Sequence, residues 1–191
     1  AFASVGRGYE TPTLNEAAYR PGGAAGLNTA LNAARSTSAE VGLRGRQGST
    51  AWNATLFDIA TRDEIVVLSN SGGRSTFQNA GRTERQGLEL AADTALGPVT
   101  LSGVGVCVSP NTTVPAGNSV PGLPLQQVWV QAAWTPAATA GIGGVFTLEA
   151  RHTGRVFVND LNTDAAAGHT LFALGARFEQ PMGEWTWRQF V

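Results

Sequence analysis

The side chains best suited to proton transfer or nucleophilic attack near neutral pH are scarce in this chain: His152, His169 and Cys107. A hydrolase needs a nucleophile, a base and a group that orients the base. His152 falls on the apolar side of an alternating run, His169 falls at a loop exit, and no Gly-x-Ser-x-Gly turn presents a serine. No His/Asp/Glu cluster has metal-ligand spacing, and a lone cysteine excludes an internal disulfide or a cysteine-based metal site. Asp58, Asp63 and Glu64 are close in sequence and could meet a cation, but solvated loop charges are the commoner outcome. Gly22-Gly23 and Gly72-Gly73 do not open a helix after a strand, so a phosphate cradle has no support. Cys107 is expected to serve as a small apolar residue, buried or facing lipid, with pairing to a cysteine outside this segment as the alternative. The sequence calls for no enzyme and no cofactor.

Binding chemistry remains. Ligand contacts concentrate on loops that a rigid scaffold positions. The loop residues with suitable donors are Arg20, Arg74, Gln78 and Asn79. The elements that hold them show period-two alternation, repeated many times. In 39–46, Ala39, Val41 and Leu43 share a face opposite Glu40, Arg44 and Arg46. In 85–94, Leu88, Leu90 and Ala92 oppose Arg85, Glu89 and Asp93. The same holds in 127–134 (Val128, Val130, Ala132, Trp134 against Gln127, Gln131) and 145–153 (Phe146, Leu148, Ala150 against Thr147, Glu149, Arg151). In 169–179, Phe172, Leu174, Ala176 and Phe178 oppose Arg177 and Glu179. Successive strand side chains point to opposite faces, so each run is an amphipathic strand. Weaker strands fit at 1–9, 50–62, 98–107 and 185–191, for about nine in all.

Composition narrows what such strands face. Only 14% of residues are charged, glycine reaches 24, and mean hydropathy is −0.05. A soluble domain keeps a charged exterior; a transmembrane barrel shows lipid an apolar face and turns polar groups inward. A secreted, glycine-rich β-sandwich shares this composition. The net charge of −1 gives no electrostatic case for nucleic acid. Every basic residue is arginine, none lysine. No run approaches the roughly 20 apolar residues of a spanning helix. Ala1-Phe2-Ala3-Ser4 has no signal-peptide character, and the chain opens on a strand, so the protein's start is expected upstream.

The links separate barrel from sandwich. Long links at 10–36, 63–75, 108–122 and 158–167 alternate with short ones at 47–49, 96–98, around 136–141 and at 181–184. An up-and-down barrel alternates in this way, with tight periplasmic turns on one rim and longer extracellular loops on the other. A Greek-key sandwich has no reason to. Trp52, Trp134, Trp185 and Trp187 all lie near short links, as an aromatic girdle at a membrane boundary would place them.

Four word-like stretches then point to a family. Val5-Gly6-Arg7-Gly8-Tyr9-Glu10-Thr11-Pro12-Thr13-Leu14-Asn15-Glu16 and Ala34-Arg35-Ser36 leading into Glu40-Val41-Gly42-Leu43-Arg44 resemble strand-to-loop stretches of TonB-dependent outer-membrane receptors. Asn79-Ala80-Gly81-Arg82-Thr83-Glu84-Arg85-Gln86-Gly87-Leu88-Glu89-Leu90 is similar to the family's asparagine-glycine, then glycine-x-glutamate strand. Ala116-Gly117-Asn118-Ser119-Val120-Pro121-Gly122-Leu123-Pro124 resembles a loop exit before a late strand. The four stand in family order across nearly the whole chain.

The resemblance implies a 22-stranded barrel plugged by an N-terminal domain, of which this segment supplies roughly two fifths. It implies import of a scarce ligand such as a ferric chelate or cobalamin, driven by an inner-membrane energising complex. Neither the plug nor the segment that meets the TonB complex lies within 1–191. Trp187-Arg188-Gln189-Phe190-Val191 resembles the third-last strand, so the closing strands are expected beyond it.

The expected fold is therefore all-β: an antiparallel up-and-down transmembrane β-barrel segment of about nine strands, one partial barrel domain over 1–191. Its partners would be the lipid bilayer, the plug, the TonB complex and a small-molecule or metal-chelate ligand, in the bacterial outer membrane, with no nucleic acid. An odd antiparallel set would bring its first and last strands together in parallel, so the segment alone is not expected to close or conduct. The alternatives are a soluble β-rich binding module, such as a carbohydrate-binding sandwich, and a hydrolase housed in a barrel.

Overall fold

The computed structural model describes residues 1–79, 81–113, 116–138, 142–159 and 161–191. Nine antiparallel strands follow one another in a single sheet, each pairing with its neighbour along the path. They are β1 (Phe2–Glu10), β2 (Ala34–Gln47), β3 (Thr50–Arg62), β6 (Arg82–Leu96), β7 (Val99–Thr113), β9 (Gln126–Trp134), β10 (Gly143–Thr153), β13 (His169–Met182) and β14 (Trp185–Phe190). The remaining elements decorate the long links. Helix α1 (Leu14–Ala17) and a 3-10 turn (Pro21–Gly23) fold the link after β1. β4 (Ile65–Ser71) and β5 (Arg74–Asn79) pair with each other, β8 (Ala116–Ser119) pairs with β7, and β11 (Val156–Phe157) pairs with β12 (Ala165–Ala166). β1 and β14 do not meet, so the barrel is not closed within this chain.

The register carries the sequence alternation across the sheet as continuous rows. On one face, Leu43, Ala54, Leu90, Gly105 and Val128 stand in line, and the next row runs Gly45, Trp52, Ala92, Gly103, Val130, Ala150 and Phe172. The opposite face carries a polar row of Arg46, Ala51, Asp93, Ser102, Gln131 and Glu149. Among the described residues no second layer packs on the apolar face: Leu56, Leu90, Leu148, Phe172 and Leu174 are all exposed, Leu174 at 83%. Among the described residues only one hydrophobic side chain, Ala34, is buried. A sandwich would press two such faces into a dry core. Among the described residues this sheet has no second layer. Its apolar side needs a hydrocarbon solvent, where each large side chain removed from water gains about 1.5–3 kcal/mol.

The short-link rim is built by backbone geometry. Gly48-Ser49, Gly97-Pro98 and Gly183-Glu184 are two-residue turns between paired strands, with φ of +58°, +61° and +66° at the glycines. Ser49, Pro98 and Glu184 keep negative φ, so these are II′-type turns, whose twist matches the strands they join. The link around 136–141 belongs to the same rim, and its residues 139–141 lie outside the described residues. Trp52, Trp134, Trp185 and Trp187 all point to the apolar face beside this rim. Trp134, Phe146 and Phe178 form a chain of ring contacts there, at 5.4 and 5.6 Å between centroids.

Two long links differ from the expected bounds: the one between β3 and β6 extends over 63–81, past the expected end at 75, and the one between β7 and β9 is shorter than expected. The expected loop at 63–75 is a hairpin, β4–β5, turning at Gly72-Gly73 with φ of +57° and +73°, the I′ pattern. The link expected from 108 begins later, because β7 runs on to Thr113.

Candidate ligand-contact loops and lumen wall

The long-link rim bears a folded layer. The link 11–33 opens with a capping box: the Glu16 N–H donates to Thr13 Oγ1 (3.3 Å), and the Thr13 N–H donates to the Glu16 carboxylate (2.7 Å). The link then lies against β5. Asn28, only 6% exposed, donates its amide to the Phe77 carbonyl at 3.2 Å, and its N–H reaches the Ala17 carbonyl at 2.7 Å.

All four sequence candidates lie in this layer. Asn79 is its clamp: Oδ1 accepts from the Asn32 N–H at 2.8 Å, while Nδ2 donates to the carbonyls of Asn32 (2.9 Å) and Asp63 (2.6 Å). Arg74 lies over the Tyr19 ring at 5.1 Å, and Arg20 donates to the Leu27 carbonyl at 3.4 Å. Gln78 is exposed on β5 opposite Val66. Arg20, Arg74 and Gln78 present donors to solvent, whereas the Asn79 side chain is spent on structure.

Sequence reasoning missed the residues that hold the layer to the sheet. Arg85 meets Glu64 at 2.5 Å and Thr83 at 3.3 Å, and Thr83, 2% exposed, donates to the same Glu64 carboxylate. Glu64 is thus half of a part-buried ion pair and not a free loop charge. Asp58 points to the apolar face and accepts from Gln86 at 2.7 Å, so it does not join Glu64. Among the described residues no group of His, Cys, Asp and Glu could hold a metal ion.

The other face is a polar wall. Glu149 is bridged by Arg151 (2.9 Å) and receives Gln131 (3.5 Å); Glu179 lies between Arg188 (3.2 Å) and Arg177 (3.6 Å). These pairs are largely exposed, so each stabilises little by itself, and they leave donors free for whatever fills the lumen. Two glycines make room for rings lying flat on this wall. A Cβ on Gly42 would fall 2.4 Å from the Phe2 ring, and one on Gly87 2.4 Å from Phe57 and 2.6 Å from the Cys107 carbonyl. His152 pairs across from Thr170, to whose hydroxyl it is hydrogen-bonded at 3.0 Å on the apolar face; His169 lies one row on, facing the other way. The two histidines share no site. Cys107 is exposed on the apolar face beside Leu88.

The description "TonB dependent receptor-like, beta-barrel" matches residues 1–190. The chain belongs to this TonB-dependent receptor family. Solved barrels agree on the fold. The ferric preacinetobactin receptor BauA from Acinetobacter baumannii superposes with a TM-score of 0.66 at 19% identity, over 94% of this chain and 28% of its own. The ferric yersiniabactin uptake receptor FyuA from Yersinia pestis gives 0.69 at 19%, over 95% and 27%. The copper transporter OprC gives 0.72 at 14%, over 92% and 28%. The chain therefore spans little more than a quarter of each of these proteins. Within a barrel of this family the polar wall is the lumen side and the apolar rows are the lipid side.

Proposed function

We propose that this chain is one sector of the barrel of an outer-membrane receptor that imports a scarce ligand, such as a ferric chelate, by energised transport. Its apolar rows lie in the bilayer, its polar wall packs on an N-terminal plug, and the plug couples to the TonB complex. The loop layer over the long-link rim contributes ligand contacts through Arg20, Arg74 and Gln78, with Asn79 holding the layer in place. The barrel of 22 strands would be completed by chain outside 1–191. The observation that carries this reading is the pairing of a two-faced sheet with a folded, donor-bearing layer on one rim only. The solved relatives named above handle iron chelates and copper, so the cargo is stated as a class. Arginine donors favour an anionic complex.

The test uses the full-length receptor in cells that lack other uptake routes, supplied with a panel of radiolabelled ferric chelates and with copper. Uptake of one cargo is expected, abolished when the proton-motive force is collapsed. Arg20→Ala/Arg74→Ala should weaken binding about tenfold, the loss of one or two charged hydrogen bonds. Uptake indifferent to the proton-motive force would overturn the energised reading, and unchanged affinity in the double variant would remove the loop layer from the site.

A further inference from the structure

One ion pair of the lumen wall reaches outside the sheet. Among the described residues, Arg151 answers Glu149, and Arg177 and Arg188 answer Glu179, all on sheet strands. Arg85, on the lumen face of β6, takes its carboxylate from the loop layer instead. β3 ends at Arg62, Asp63 adopts φ +57°, and the Asp63 N–H closes the base of the β4–β5 hairpin on the Gly81 carbonyl at 3.1 Å. Glu64 comes next and meets the wall, holding Arg85 at 2.5 Å and accepting from Thr83. Both charged side chains are mostly covered, at 20% and 23% exposed. Elsewhere the layer is tied by neutral groups: the Asn79 and Asn28 amides, and the Ser69 and Thr76 hydroxyls 2.7 Å apart. A covered ion pair gains little over such neutral contacts, because desolvation offsets the attraction. A tie alone has no need of charge.

The position of Arg85 gives the charge a use. On the lumen face of β1, β2, β3 and β6 it is the first guanidinium below the loop layer; Arg44 and Arg46 lie toward the short-link rim. The wall beside it leaves room. In the rows through Arg85 and Thr83, β1 and β2 carry only Gly6 with Ser38 and Gly8 with Ser36. An anionic chelate that has passed the donors of Arg20 and Arg74 therefore meets Arg85 next, in competition with Glu64. A guanidinium binds a carboxylate and the oxygens of an anionic chelate by the same forked hydrogen bonds. Glu64 occupies the place that such a cargo would take.

We propose that Arg85 is a cargo-contact residue of the lumen and that Glu64 is its internal stand-in for the cargo. An arriving anionic chelate replaces the Glu64 carboxylate on the guanidinium, and the β4–β5 hairpin is released from the wall as it does so. The proposal rests on the import reading above and deepens it. Neutral cargo cannot make the exchange, so the pair selects for negative charge.

The experiment measures equilibrium binding of a ferric tricatecholate, ferric citrate and a neutral ferric trihydroxamate to the full-length receptor and two single variants. Glu64→Gln keeps the side chain's size and an acceptor for Thr83 but removes the competing charge. Arg85→Gln removes the contact itself. Both variants loosen the layer, and both should speed proteolysis within 63–81. Affinity for the anionic chelates should nevertheless move in opposite directions. It should rise about tenfold in Glu64→Gln and fall about tenfold in Arg85→Gln, the change expected for one charge-assisted hydrogen bond. The neutral chelate should respond alike in both. Arg85→Lys keeps the charge without the fork and should fall between the unaltered receptor and Arg85→Gln; it serves if the glutamine variant does not assemble. A purely structural tie would shift anionic affinity the same way at both positions, and that result would overturn the proposal. So would a receptor that binds neither anionic probe, or binds them unchanged in both variants. Uptake by the unaltered receptor with and without a proton-motive force is scored separately. Failure of the import reading shows in that uptake, and failure of the Arg85 site shows in the binding of the variants.

Discussion

The two rims of the sheet are made by opposite means. On the short-link rim, β2–β3, β6–β7 and β13–β14 are closed by two residues each, with glycine at the one position that needs positive φ. Everything that matters there is local. On the long-link rim, order comes from side chains far apart in sequence: Asn79 to Asn32, 47 residues away, and Asn28 to Phe77, 49 away. The first kind of rim sets strand register and is bound up with assembly of the whole barrel. The second is an attached layer, able to loosen while the sheet stays intact, as a region that must admit ligand would require.

The largest effect expected from this contrast is at Glu64. Glu64→Ala leaves the Arg85 guanidinium, only 20% exposed, without its carboxylate and Thr83 without its acceptor. Breaking a fully buried pair costs about 3–5 kcal/mol, and partial exposure reduces that to roughly 2–3 kcal/mol. The loss should stay local: limited proteolysis should cut within 63–81 much faster, while the detergent-resistant folded band persists. Collapse of the whole barrel would show that the layer and the sheet are one cooperative unit.

Asn79→Ala comes next. It removes three hydrogen bonds and strands two carbonyls, an expected cost of about 2 kcal/mol. Hydrogen exchange at the Asn32 amide should accelerate, with exchange in β3 and β6 unchanged. Equal acceleration in those strands would erase the distinction between the rims.

The same contrast explains what the sequence disclosed. All nine sheet strands were legible, because period-two alternation is a local pattern that a two-faced sheet enforces on every strand. Trp52, Trp134, Trp185 and Trp187 were legible as one rim for the same reason. The β4–β5 hairpin is legible in principle from Gly72-Gly73 after Ile65-Val66-Val67-Leu68, but that run is continuously apolar and lacks the period-two alternation that marks the sheet strands, so the stretch reads as a long link. The grip of Glu64 on Arg85 and the clamp at Asn79 were not legible: nothing local ties a residue to a partner 21 or 47 positions away. Asn79 therefore looked like a ligand donor, when three of its hydrogen bonds are already made within the protein.

On the other rim, Gly97→Val should act globally. A β-branched residue at φ +61° is strained by about 1–3 kcal/mol. Refolding yield and midpoint should fall while protease resistance of 63–81 in the folded fraction is unchanged. Gly97→Asn, which tolerates positive φ, should recover most of the loss. A proteolytic phenotype at the loop layer would break the comparison from this side.

The smallest effect is energetic but the sharpest positionally. Trp185 is 81% exposed, on the lipid-facing side next to a II′ turn. In water such a ring would be a liability; at a bilayer boundary its apolar body and N–H each find a suitable layer. Trp185→Phe keeps most of the apolar area and should cost under about 1 kcal/mol. Depth is the better reading. In single-tryptophan receptors reconstituted into vesicles, Trp52, Trp134, Trp185 and Trp187 should be quenched strongly by lipids brominated near the headgroup and weakly by lipids brominated near the chain ends. Trp129 faces the polar wall in line with Val104 and Arg151 and should be quenched by neither. If Trp129 is quenched and Trp52 is not, the two faces of the sheet have been assigned the wrong way round. The lumen wall and the girdle would then fail together.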